Sequence, residues 1–371
     1  MKMAKVVGLV NLHSDVDLKG LTEKRPVASV SFLGRYGIID FVLSNMSNSK
    51  IDNVGVLIKE KPRSLFKHLG NGNSWNFNSK SGGVSLLYNE KYANDARYNH
   101  DINNLVENKF FVEEASADYV VIAPAHIITT MDYNEVVDAH AKSGAEITIV
   151  YQNIDNADEH FIGSNYLKLN ENGQVMEIKT NKGNKHERSI SLETYVFNKD
   201  KLLELVEYAQ KLSSFFNLKE TLAYLADETV IMSYEYKGFA RCVDSYEDYY
   251  NVSREFLSLD VSTQVFKSTW PIFTNTNDTP PTKYLEGAKV KHSFVANGAV
   301  VAGEVSGSIL GRDVEIGEGA VVKNCIIFSG SKVCAGAYLE NVIIDKNAKV
   351  EKKTELVGVG APLFVKEGDV V

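Results

Sequence analysis

The stretch Val6–Asp17 reads VVGLVNLHSDVD, and it predicts a fold while lacking the chemistry that usually accompanies that fold. Its first half, Val6–Val10, is a short apolar run typical of a buried first strand in an α/β domain. A domain that handles phosphate needs glycines in the next turn, because the backbone must turn tightly and point its N–H groups at the phosphate. The turn Asn11–Asp17 contains no glycine, and its carboxylates Asp15 and Asp17 would repel a triphosphate. We therefore expect an α/β domain whose phosphate-binding loop is disabled.

Strand-like and helix-like segments alternate over residues 6–236. The predicted strands are Val6–Val10, Asn53–Leu57, Tyr119–Ile122, Glu146–Val150, Leu192–Phe197 and Val230–Tyr236. The predicted helices between them are Ile38–Asn48, Leu65–Leu69, Tyr133–Lys142, Lys199–Lys211 and Lys219–Ala226. This alternation predicts a mostly parallel sheet covered by helices, with a ligand crevice beyond the carboxyl ends of the strands.

The pattern changes near Val290, where aliphatic residues begin to recur at steps of six residues and occasionally five. The members of this series are Leu310, Ile316, Val322, Phe328, Val333, Leu339, Ile344, Val350 and Leu356. A period near six does not match an α-helix or a hairpin. It fits a β-solenoid that turns three corners per coil and stacks aliphatic side chains inward.

The length of 371 residues exceeds the usual size of one domain, so we expect two domains. We place an α/β domain at residues 1–258, a linker at residues 259–288 and a β-helix at residues 289–371. A further helix is expected at Ser253–Leu259. The irregular stretch Thr269–Tyr284, with prolines among Thr and Asn, predicts the linker.

The composition is that of an ordered, acidic chain, with 44% hydrophobic residues, 24% charged residues and a net charge of -8. This charge argues against a nucleic-acid-binding surface, since no run of Lys or Arg is dense enough to reverse it. No apolar stretch approaches the length needed to cross a membrane. Cys242, Cys325 and Cys334 lack the spacing of metal ligands or of a disulfide framework. We expect a cytoplasmic protein with small-molecule or protein partners.

Several stretches resemble one enzyme family. Gly34–Asn45 reads GRYGIIDFVLSN and resembles the GGKYRIIDFALSN segment of the ADP-glucose pyrophosphorylase (glucose-1-phosphate adenylyltransferase) family. Trp270–Thr274 resembles the linker of that family, and Leu339–Ile344 resembles its β-helix. The resemblance covers essentially the whole chain and implies a nucleotidyltransferase-type, Rossmann-like domain followed by a left-handed parallel β-helix of hexapeptide repeats. It also implies a place in glycogen biosynthesis, where the family converts ATP and glucose 1-phosphate to ADP-glucose and pyrophosphate.

The chain departs from the family at the positions that carry its chemistry. Asp17 stands at the phosphate-binding arginine of the GGxGxRL loop, and Val27 stands at the lysine of the AKP motif. Ala125 and Cys242 stand at the two aspartates with which the family is expected to bind magnesium. The EKP motif, whose lysine binds the sugar phosphate, falls on Thr-Asn-Lys around Asn181.

Each replacement removes a group on which nucleotidyl transfer depends, because the reaction needs positioning and the neutralisation of negative charge. Magnesium prefers carboxylate and phosphate oxygens, which alanine and a thiol do not supply. Losing one cationic contact in a transition state typically costs roughly 3 kcal/mol, on the order of a hundredfold in rate. We therefore expect no catalytic residues, no bound metal and little turnover by the chain alone.

Loss of catalytic positions on an intact framework resembles the GlgD-type subunit of the family, a degenerate partner of the catalytic subunit. This resemblance implies that the chain assembles with the catalytic subunit in a mixed tetramer and raises its activity or alters its response to effectors. Magnesium, ATP and glucose 1-phosphate would then belong to the complex through the catalytic subunit. A homo-oligomer of the chain alone is also possible.

Three basic residues, Lys24, Arg25 and Arg35, are candidates for binding an anionic effector such as a sugar phosphate. Lys24 and Arg25 stand where the family carries basic residues of its effector-phosphate site. The alternative is a solvated pair of charges on a loop. Ser31 and Gly37 stand where basic residues often occur, which argues against effector binding by this chain alone.

Two other functions remain open. A weakly active, stand-alone glucose-1-phosphate adenylyltransferase could hold a metal with Asp15, Asp17 and Asp244. A nucleotide-sugar-binding sensor would bind ATP, ADP-glucose or glucose 1-phosphate without turnover. His292 has no second catalytic partner that would support an acyltransferase, and His126 is interpreted as a hydrogen-bonded framework residue.

Overall fold

The structure, a computed structural model, describes residues 4–78, 80, 82–226, 228–351 and 355–371. The chain folds into two compact units that do not follow sequence order. Unit 1 combines the described residues up to Asp15 with Phe41–Cys242 and Pro271–Phe273, and unit 2 combines Val16–Asp40, Val243–Trp270 and Thr274–Val371. This division differs from the expected boundaries after residues 258 and 288, because two segments from the first 270 residues pack with the C-terminal region in unit 2.

The helices of the described residues match most of the predicted segments. They are α1 (Ile39–Asn48), α2 (Arg63–Leu69), α3 (Asp101–Glu107), α4 (Lys109–Glu113), α5 (Tyr133–Ser143), α6 (Lys199–Leu212), α7 (Leu218–Leu225), α8 (Tyr246–Glu255) and α9 (Leu259–Val265). A capping box in which Asn217 and Glu220 exchange hydrogen bonds begins α7. Among the described residues, no helix is both long enough and apolar enough to cross a membrane.

The strands divide between a sheet in unit 1 and shorter ladders in unit 2. In chain order they are β1 (Val6–Asn11), β2 (Ser31–Phe32), β3 (Tyr36–Gly37), β4 (Asn53–Ile58), β5 (Gly83–Tyr88), β6 (Tyr119–Pro124), β7 (Ile127–Thr129), β8 (Ile147–Ile154), β9 (Asn165–Leu169), β10 (Val175–Thr180), β11 (Arg188–Asn198), β12 (Ile231–Glu235), β13 (Ala240–Cys242), β14 (Lys283–Tyr284), β15 (Lys289–Lys291), β16 (Phe294–Val295), β17 (Val300–Val301), β18 (Glu304–Ser306), β19 (Ile309–Leu310), β20 (Glu315–Ile316), β21 (Val321–Lys323), β22 (Ile326–Ile327), β23 (Lys332–Val333), β24 (Tyr338–Glu340), β25 (Val342–Ile344), β26 (Lys349–Val350), β27 (Glu355–Val357) and β28 (Leu363–Val365).

The centre of unit 1 is a sheet whose parallel strands follow the order β5-β4-β1-β6. The apolar run of β1 is buried between β4 and β6, which is typical of a central parallel strand. β11 extends the sheet antiparallel to β6 and β8, and β9 and β10 form an antiparallel pair beside it. β1, β4 and β6 end side by side, at Asn11, Ile58 and Pro124. We call this side of the sheet the carboxyl edge.

The strands β14–β28 of unit 2 form a parallel β-helix with three sheets. Equivalent residues pair in register from coil to coil, and one buried row consists of Val305, Val322, Leu339 and Leu356. The predicted aliphatic series is buried throughout, which confirms the solenoid. Its member Phe328 differs in direction, because Ile327 joins the inner row and the Phe328 ring packs on Tyr249, with 6.3 Å between ring centroids.

Tyrosines of α8 attach this helix to the β-helix within unit 2. The hydroxyl of Tyr250 donates to the carbonyl oxygen of Asn324 at 2.7 Å, and Arg254 donates to the Asn324 side chain at 2.9 Å. Tyr249 is fully buried, and its hydroxyl donates to the carbonyl oxygen of Ser31 at 2.6 Å. These contacts explain why α8 belongs to unit 2 rather than to the α/β sheet.

The segment after α8 differs from the predicted helix Ser253–Leu259. Two tight turns, in which Leu257 and Ser258 donate to Arg254 and Glu255, end α8. Ser258 has an extended backbone, and α9 begins at the next residue. The expected linker, residues 259–288, is therefore partly regular, since it contains α9 and also β14, which pairs with β17.

Truncating the inner row of the β-helix should destabilise unit 2. Leu339 is 0% exposed, so Leu339→Ala should lower the free energy of unfolding by about 3 kcal/mol through lost burial and the cavity that remains. Val359→Ala is the control, because Val359 is 89% exposed and its truncation should change little. Guanidinium chloride unfolding followed by circular dichroism measures both, and equal effects would contradict the assigned packing.

Candidate functional site

The carboxyl edge of the unit 1 sheet is held together by the side chain of Asp101. Its Oδ2 accepts a hydrogen bond from Asn11 Nδ2 at 2.8 Å, and its Oδ1 accepts one from the backbone N–H of Leu218 at 2.8 Å. Asp101 is buried in the first turn of α3, where a negative charge is favoured by the helix dipole. The ends of β1, α3 and α7 are therefore connected at this edge.

An ion pair between a buried glutamate and a half-buried lysine lies close to Asp101. Lys219 Nζ, in the first turn of α7, donates to Glu193 Oε1 at 2.5 Å, and His126 Nε2 lies 3.7 Å from Glu193 Oε2. Burial alone would raise the pKa of Glu193, but Lys219 and His126 bring it below its usual value. Burial lowers the pKa of His126 in spite of the Glu193 carboxylate beside it. At neutral pH the pair is thus ionised and His126 is neutral.

Glu193 reaches this position through an irregularity in β11. The pairing of β11 with β8 shifts register between Ser191 and Thr194, and Glu193 has a φ of 51°. This left-handed backbone is uncommon for a residue with a side chain and persists only where the surroundings hold it. Here the Glu193 amide donates to Ser191 Oγ, and the Glu193 carboxylate binds Lys219.

His13, in the turn after β1, is a second neutral imidazole in this part of unit 1. Its Nε2 accepts a hydrogen bond from Asn104 Nδ2 at 3.0 Å. Its Nδ1 is buried and has no hydrogen-bond partner among the described residues. Burial lowers the pKa of His13 to about 4, against the raising effect of Asp101. His13 therefore brings no positive charge to the carboxyl edge at neutral pH.

An antiparallel pair of short strands brings Ala125 and Cys242 to neighbouring positions. β13 pairs with β7 so that Cys242 lies opposite Ile127, two residues beyond Ala125. The side chains of Ala125 and Cys242 are both buried. Cys242 also lies close enough to Lys219 to interact with it electrostatically. Ala125, Cys242 and the Glu193–Lys219 pair thus belong to one part of unit 1.

Comparison with known proteins identifies the family. Residues 17–257 match the nucleotidyl transferase model, and residues 280–362 match the model of the GlmU-like C-terminal hexapeptide. The chain is 31% identical over 352 residues to the glycogen biosynthesis protein GlgD of Bacillus subtilis (strain 168), covering 95% of this chain and 92% of that protein. It is 30% identical over 336 residues to the glucose-1-phosphate adenylyltransferase of Desulfitobacterium hafniense (strain DSM 10664 / DCB-2). The match covers 89% of this chain and 83% of that enzyme. The chain belongs to the ADP-glucose pyrophosphorylase family.

The corresponding enzyme of Fervidobacterium nodosum (strain ATCC 35602 / DSM 5306 / Rt17-B1) is 29% identical over 362 residues, which are 96% of this chain and 86% of that enzyme. The likeness therefore spans both the nucleotidyltransferase domain and the hexapeptide β-helix. The chain is a member of a glycogen biosynthesis family, with the α/β sheet and the left-handed β-helix that the sequence predicts.

Asp17 and Val27, which the sequence analysis expects at a loop arginine and a motif lysine of the family, serve the folding of unit 2. Asp17 accepts hydrogen bonds from the Lys19 backbone N–H at 2.9 Å and from Thr22 Oγ1 at 2.8 Å. These bonds hold the single turn Lys19–Thr22. Val27 is buried in the turn Val27–Ser29. Neither position supplies a positive charge for a phosphate.

Asn181, which the sequence analysis expects at the EKP lysine, also makes contacts inside the fold. Its buried Nδ2 donates to the carbonyl oxygens of Ala157 at 2.7 Å and Phe161 at 3.1 Å. Its backbone N–H donates to the carbonyl oxygen of Ser164. Asn181 therefore fastens the loop between β8 and β9 in unit 1.

The donor atoms at Ala125 and Cys242, which the sequence analysis expects at the metal positions of the family, do not fit magnesium. Ala125 has no ligand atom and Cys242 offers soft sulfur, whereas magnesium takes hard oxygen ligands. Asp101 and Glu193 are engaged by N–H donors and by Lys219. Among the residues that the structure describes, no group of three or more His, Cys, Asp or Glu side chains is arranged to hold a metal ion.

Two of the three effector candidates lie beside carboxylates of the β-helix in unit 2. Arg25 is buried and makes a bidentate pair with Asp345, at 2.9 and 2.7 Å, and its Nη2 lies 3.4 Å from Glu367 Oε2. Lys24 is exposed, and its Nζ lies 4.0 Å from Glu367. An external phosphate would have to displace Asp345 in order to reach Arg25.

The third candidate, Arg35, lines a cavity of about 650 Å³ in unit 2 together with Arg312. Burial and the nearby Arg35 lower the pKa of Arg312. Tyr36 and Phe266, whose rings stack at 5.5 Å between centroids, form part of the wall. Arg312 Nη2 donates to the carbonyl oxygen of Asn275, while its buried Nε has no hydrogen-bond partner among the described residues. Two guanidinium groups at one cavity suit an anion, because the planar donors of arginine match the oxygens of a phosphate or a carboxylate.

Sequence reasoning missed Glu193, Lys219 and Arg312. The one available signal was Glu193 itself, a charged residue inside the predicted buried strand Leu192–Phe197. Arg312 joins Arg35 because Gly34 approaches the β-helix closely, and a Cβ there would lie 2.6 Å from the carbonyl oxygen of Leu310. No local pattern predicts that approach.

Removing the charge of Asp345 should destabilise unit 2 strongly. Asp345→Asn leaves the Arg25 guanidinium, 5% exposed, without its bidentate partner, so the free energy of unfolding should fall by about 3 kcal/mol. Glu367→Gln is the control, since Glu367 is 34% exposed and makes only long contacts with Arg25 and Lys24, so its effect should stay below about 1 kcal/mol. Thermal and denaturant unfolding measure both, and equal losses would contradict a buried Arg25–Asp345 pair.

Proposed function

We propose that this chain is a regulatory, GlgD-type subunit of ADP-glucose pyrophosphorylase. It assembles with the catalytic subunit in a mixed tetramer in the cytoplasm and raises the activity of that subunit or alters its response to effectors. Magnesium, ATP and glucose 1-phosphate bind to the complex through the catalytic subunit. The chain itself contributes little or no turnover.

The observation that carries this proposal is the chemistry of the carboxyl edge in unit 1. Transfer of a nucleotidyl group needs metal ions and cations that neutralise charge in the transition state. At the two metal positions, this chain has the neighbouring Ala125 and Cys242, and its Lys219 is already paired with Glu193. The surrounding sheet and the β-helix are nevertheless present. The replacements thus remove catalytic groups and leave the framework on which a subunit could assemble.

The family relationship supports the assembly. A relative that covers nearly the whole chain is named a glycogen biosynthesis protein, while the other relatives described above are named as the adenylyltransferase itself. Stacked coils of a β-helix present extended outer surfaces on which subunits can pack. A non-catalytic partner that shares the fold of its enzyme can take an equivalent place in an oligomer.

Mixing the chain with its catalytic counterpart tests the role. ADP-glucose synthesis should be measured for the purified chain, for the catalytic adenylyltransferase of the same organism and for their mixture. We expect a silent chain, and a mixture that is faster than the enzyme alone or responds differently to phosphorylated effectors. Size-exclusion chromatography with light scattering should show a mixed tetramer.

Two results would contradict the regulatory role. Robust synthesis by the chain alone, abolished by Asp17→Ala or Asp244→Ala, would establish the stand-alone enzyme instead. Binding of ADP-glucose in calorimetry without any effect on the catalytic subunit would favour the nucleotide-sugar sensor. The first outcome conflicts with the local role of Asp17, whose carboxylate holds the turn Lys19–Thr22.

We also propose that the cavity lined by Arg35 and Arg312 is where unit 2 binds an anionic effector, such as a sugar phosphate. The cavity adjoins two guanidinium groups, and Arg312 has an unpartnered Nε among the described residues. Arg25 is paired within the fold, so Arg35 is the effector candidate whose cavity is best suited to an external anion.

Charge removal at this cavity should weaken the effector response of the mixed oligomer. Arg35→Ala and Arg312→Ala should each raise the half-maximal concentration of glucose 6-phosphate or inorganic phosphate about tenfold, because each removes a charge-assisted contact. Lys24→Ala is the control, since Lys24 is exposed and faces Glu367. A larger effect from Lys24→Ala than from either arginine variant would place the effector elsewhere.

A further inference from the structure

The Glu193 carboxylate is surrounded by side chains in the way that a bound anion would be. Lys219 Nζ donates to one of its oxygens at 2.5 Å, and His126 Nε2 lies 3.7 Å from the other oxygen. Lys219 and His126 belong to different segments of unit 1, the start of α7 and the residues after β6. A cation and an imidazole from separate elements thus converge on a single negative group.

We propose that Lys219 and His126 form a latent anion-binding site at the carboxyl edge of unit 1, and that the Glu193 carboxylate is its built-in ligand, which keeps phosphate groups out. The ligand class is a phosphate group, whether free or carried by a sugar. This site is distinct from the Arg35 cavity and does not depend on the role of the chain in an oligomer.

The local charges explain why a phosphate does not enter the site of the native chain. Lys219 interacts electrostatically with both Glu193 and Asp101, so one cation faces two carboxylates. Asp101 is itself fixed by Asn11 and by the Leu218 N–H and cannot turn away. An incoming phosphate would meet two negative charges and an ammonium group that is already paired.

Lys219 and His126 are positioned to bind an external anion if the Glu193 carboxylate is removed. The side chain of Lys219 is 35% exposed, which leaves a path from solvent, whereas the side chain of Glu193 is 8% exposed. His126 is buried, and its Nδ1 has no hydrogen-bond partner among the described residues. Without the Glu193 carboxylate, Lys219 would be a half-buried cation without its partner, which is a favourable place for an anion.

The backbone at Glu193 makes the proposal testable by a small change. Its φ of 51° lies in the left-handed region that glycine adopts without a steric penalty. Glu193→Gly therefore removes the carboxylate, relieves the backbone and empties the space beside Lys219. Glu193→Gln removes only the charge and keeps the side chain, so it separates the effect of charge from the effect of space.

The test is phosphate binding by the full chain, followed by isothermal titration calorimetry and ³¹P NMR with inorganic phosphate and with glucose 1-phosphate. Glu193→Gly should bind phosphate at least tenfold more tightly than the native chain, and Glu193→Gln should show a smaller gain. The double variant Glu193→Gly with Lys219→Ala should lose the gain. Glu159→Gln is the control, because it removes the same charge at an exposed glutamate and should leave phosphate binding unchanged.

Comparing the two ligands identifies the source of the phosphate. An equal increase in affinity for inorganic phosphate and glucose 1-phosphate means that the site binds the phosphate group alone. An increase in affinity confined to glucose 1-phosphate means that the site also binds the sugar. A Glu193→Gly chain with native circular dichroism and no gain for either ligand would overturn the proposal. So would tight phosphate binding by the native chain that Lys219→Ala abolishes. A failure of the mixing experiment would leave this result unaffected, since the readout is binding by the chain alone.

Discussion

Between Ser191 and Thr194, β11 advances three residues while its partner β8 advances only from Tyr151 to Val150. The extra residues, Leu192 and Glu193, fall outside the ladder, and this break lets a glutamate in a central strand turn its carboxylate to Lys219. β11 is held on both sides, by β6 and by β8, so the irregular stretch cannot relax by shifting the strand. The charge state of the carboxyl edge depends on this feature, because it brings an ionised carboxylate to Lys219.

Both units neutralise a buried or half-buried cation with a carboxylate of the same chain. Lys219 pairs with Glu193 in unit 1, and Arg25 pairs with Asp345 in unit 2. A buried cation without a partner is strongly unfavourable, so each pair fixes its elements in place and at the same time removes a binding group for external phosphate. Arg35 and Arg312 contrast with these pairs, because two like charges line one cavity there, and burial together with Arg35 outweighs the raising effect of Asp40 and Asp313 on the pKa of Arg312.

The register of the β-helix decides which polar groups unit 2 presents. Parallel pairing in register stacks the aliphatic rows inward, which places residues such as Asn324 and Asp345 at corners between the rows. Asn324 accepts hydrogen bonds from the hydroxyl of Tyr250 and the guanidinium of Arg254, and the Asp345 carboxylate accepts hydrogen bonds from Arg25. The N-terminal segment Val16–Asp40 and α8 are thus bound into unit 2 by contacts whose spacing is set by the coils.

The sequence by itself determined what depends on local periodicity. The apolar run Val6–Val10 predicted β1, and the aliphatic series with a period near six predicted the β-helix. Both predictions are possible because the spacing of buried side chains along the chain reflects the local backbone geometry. The assignment of Ala125 and Cys242 to the metal-binding positions of the family stays a prediction from residue type and motif resemblance. Only the tertiary structure decided which charges meet. Arg25 and Asp345 are separated by 320 positions along the chain, and Glu193 reaches Lys219 through a break in strand register that no local propensity encodes. Electrostatic pairing depends on distance in space, and chain topology alone sets that distance.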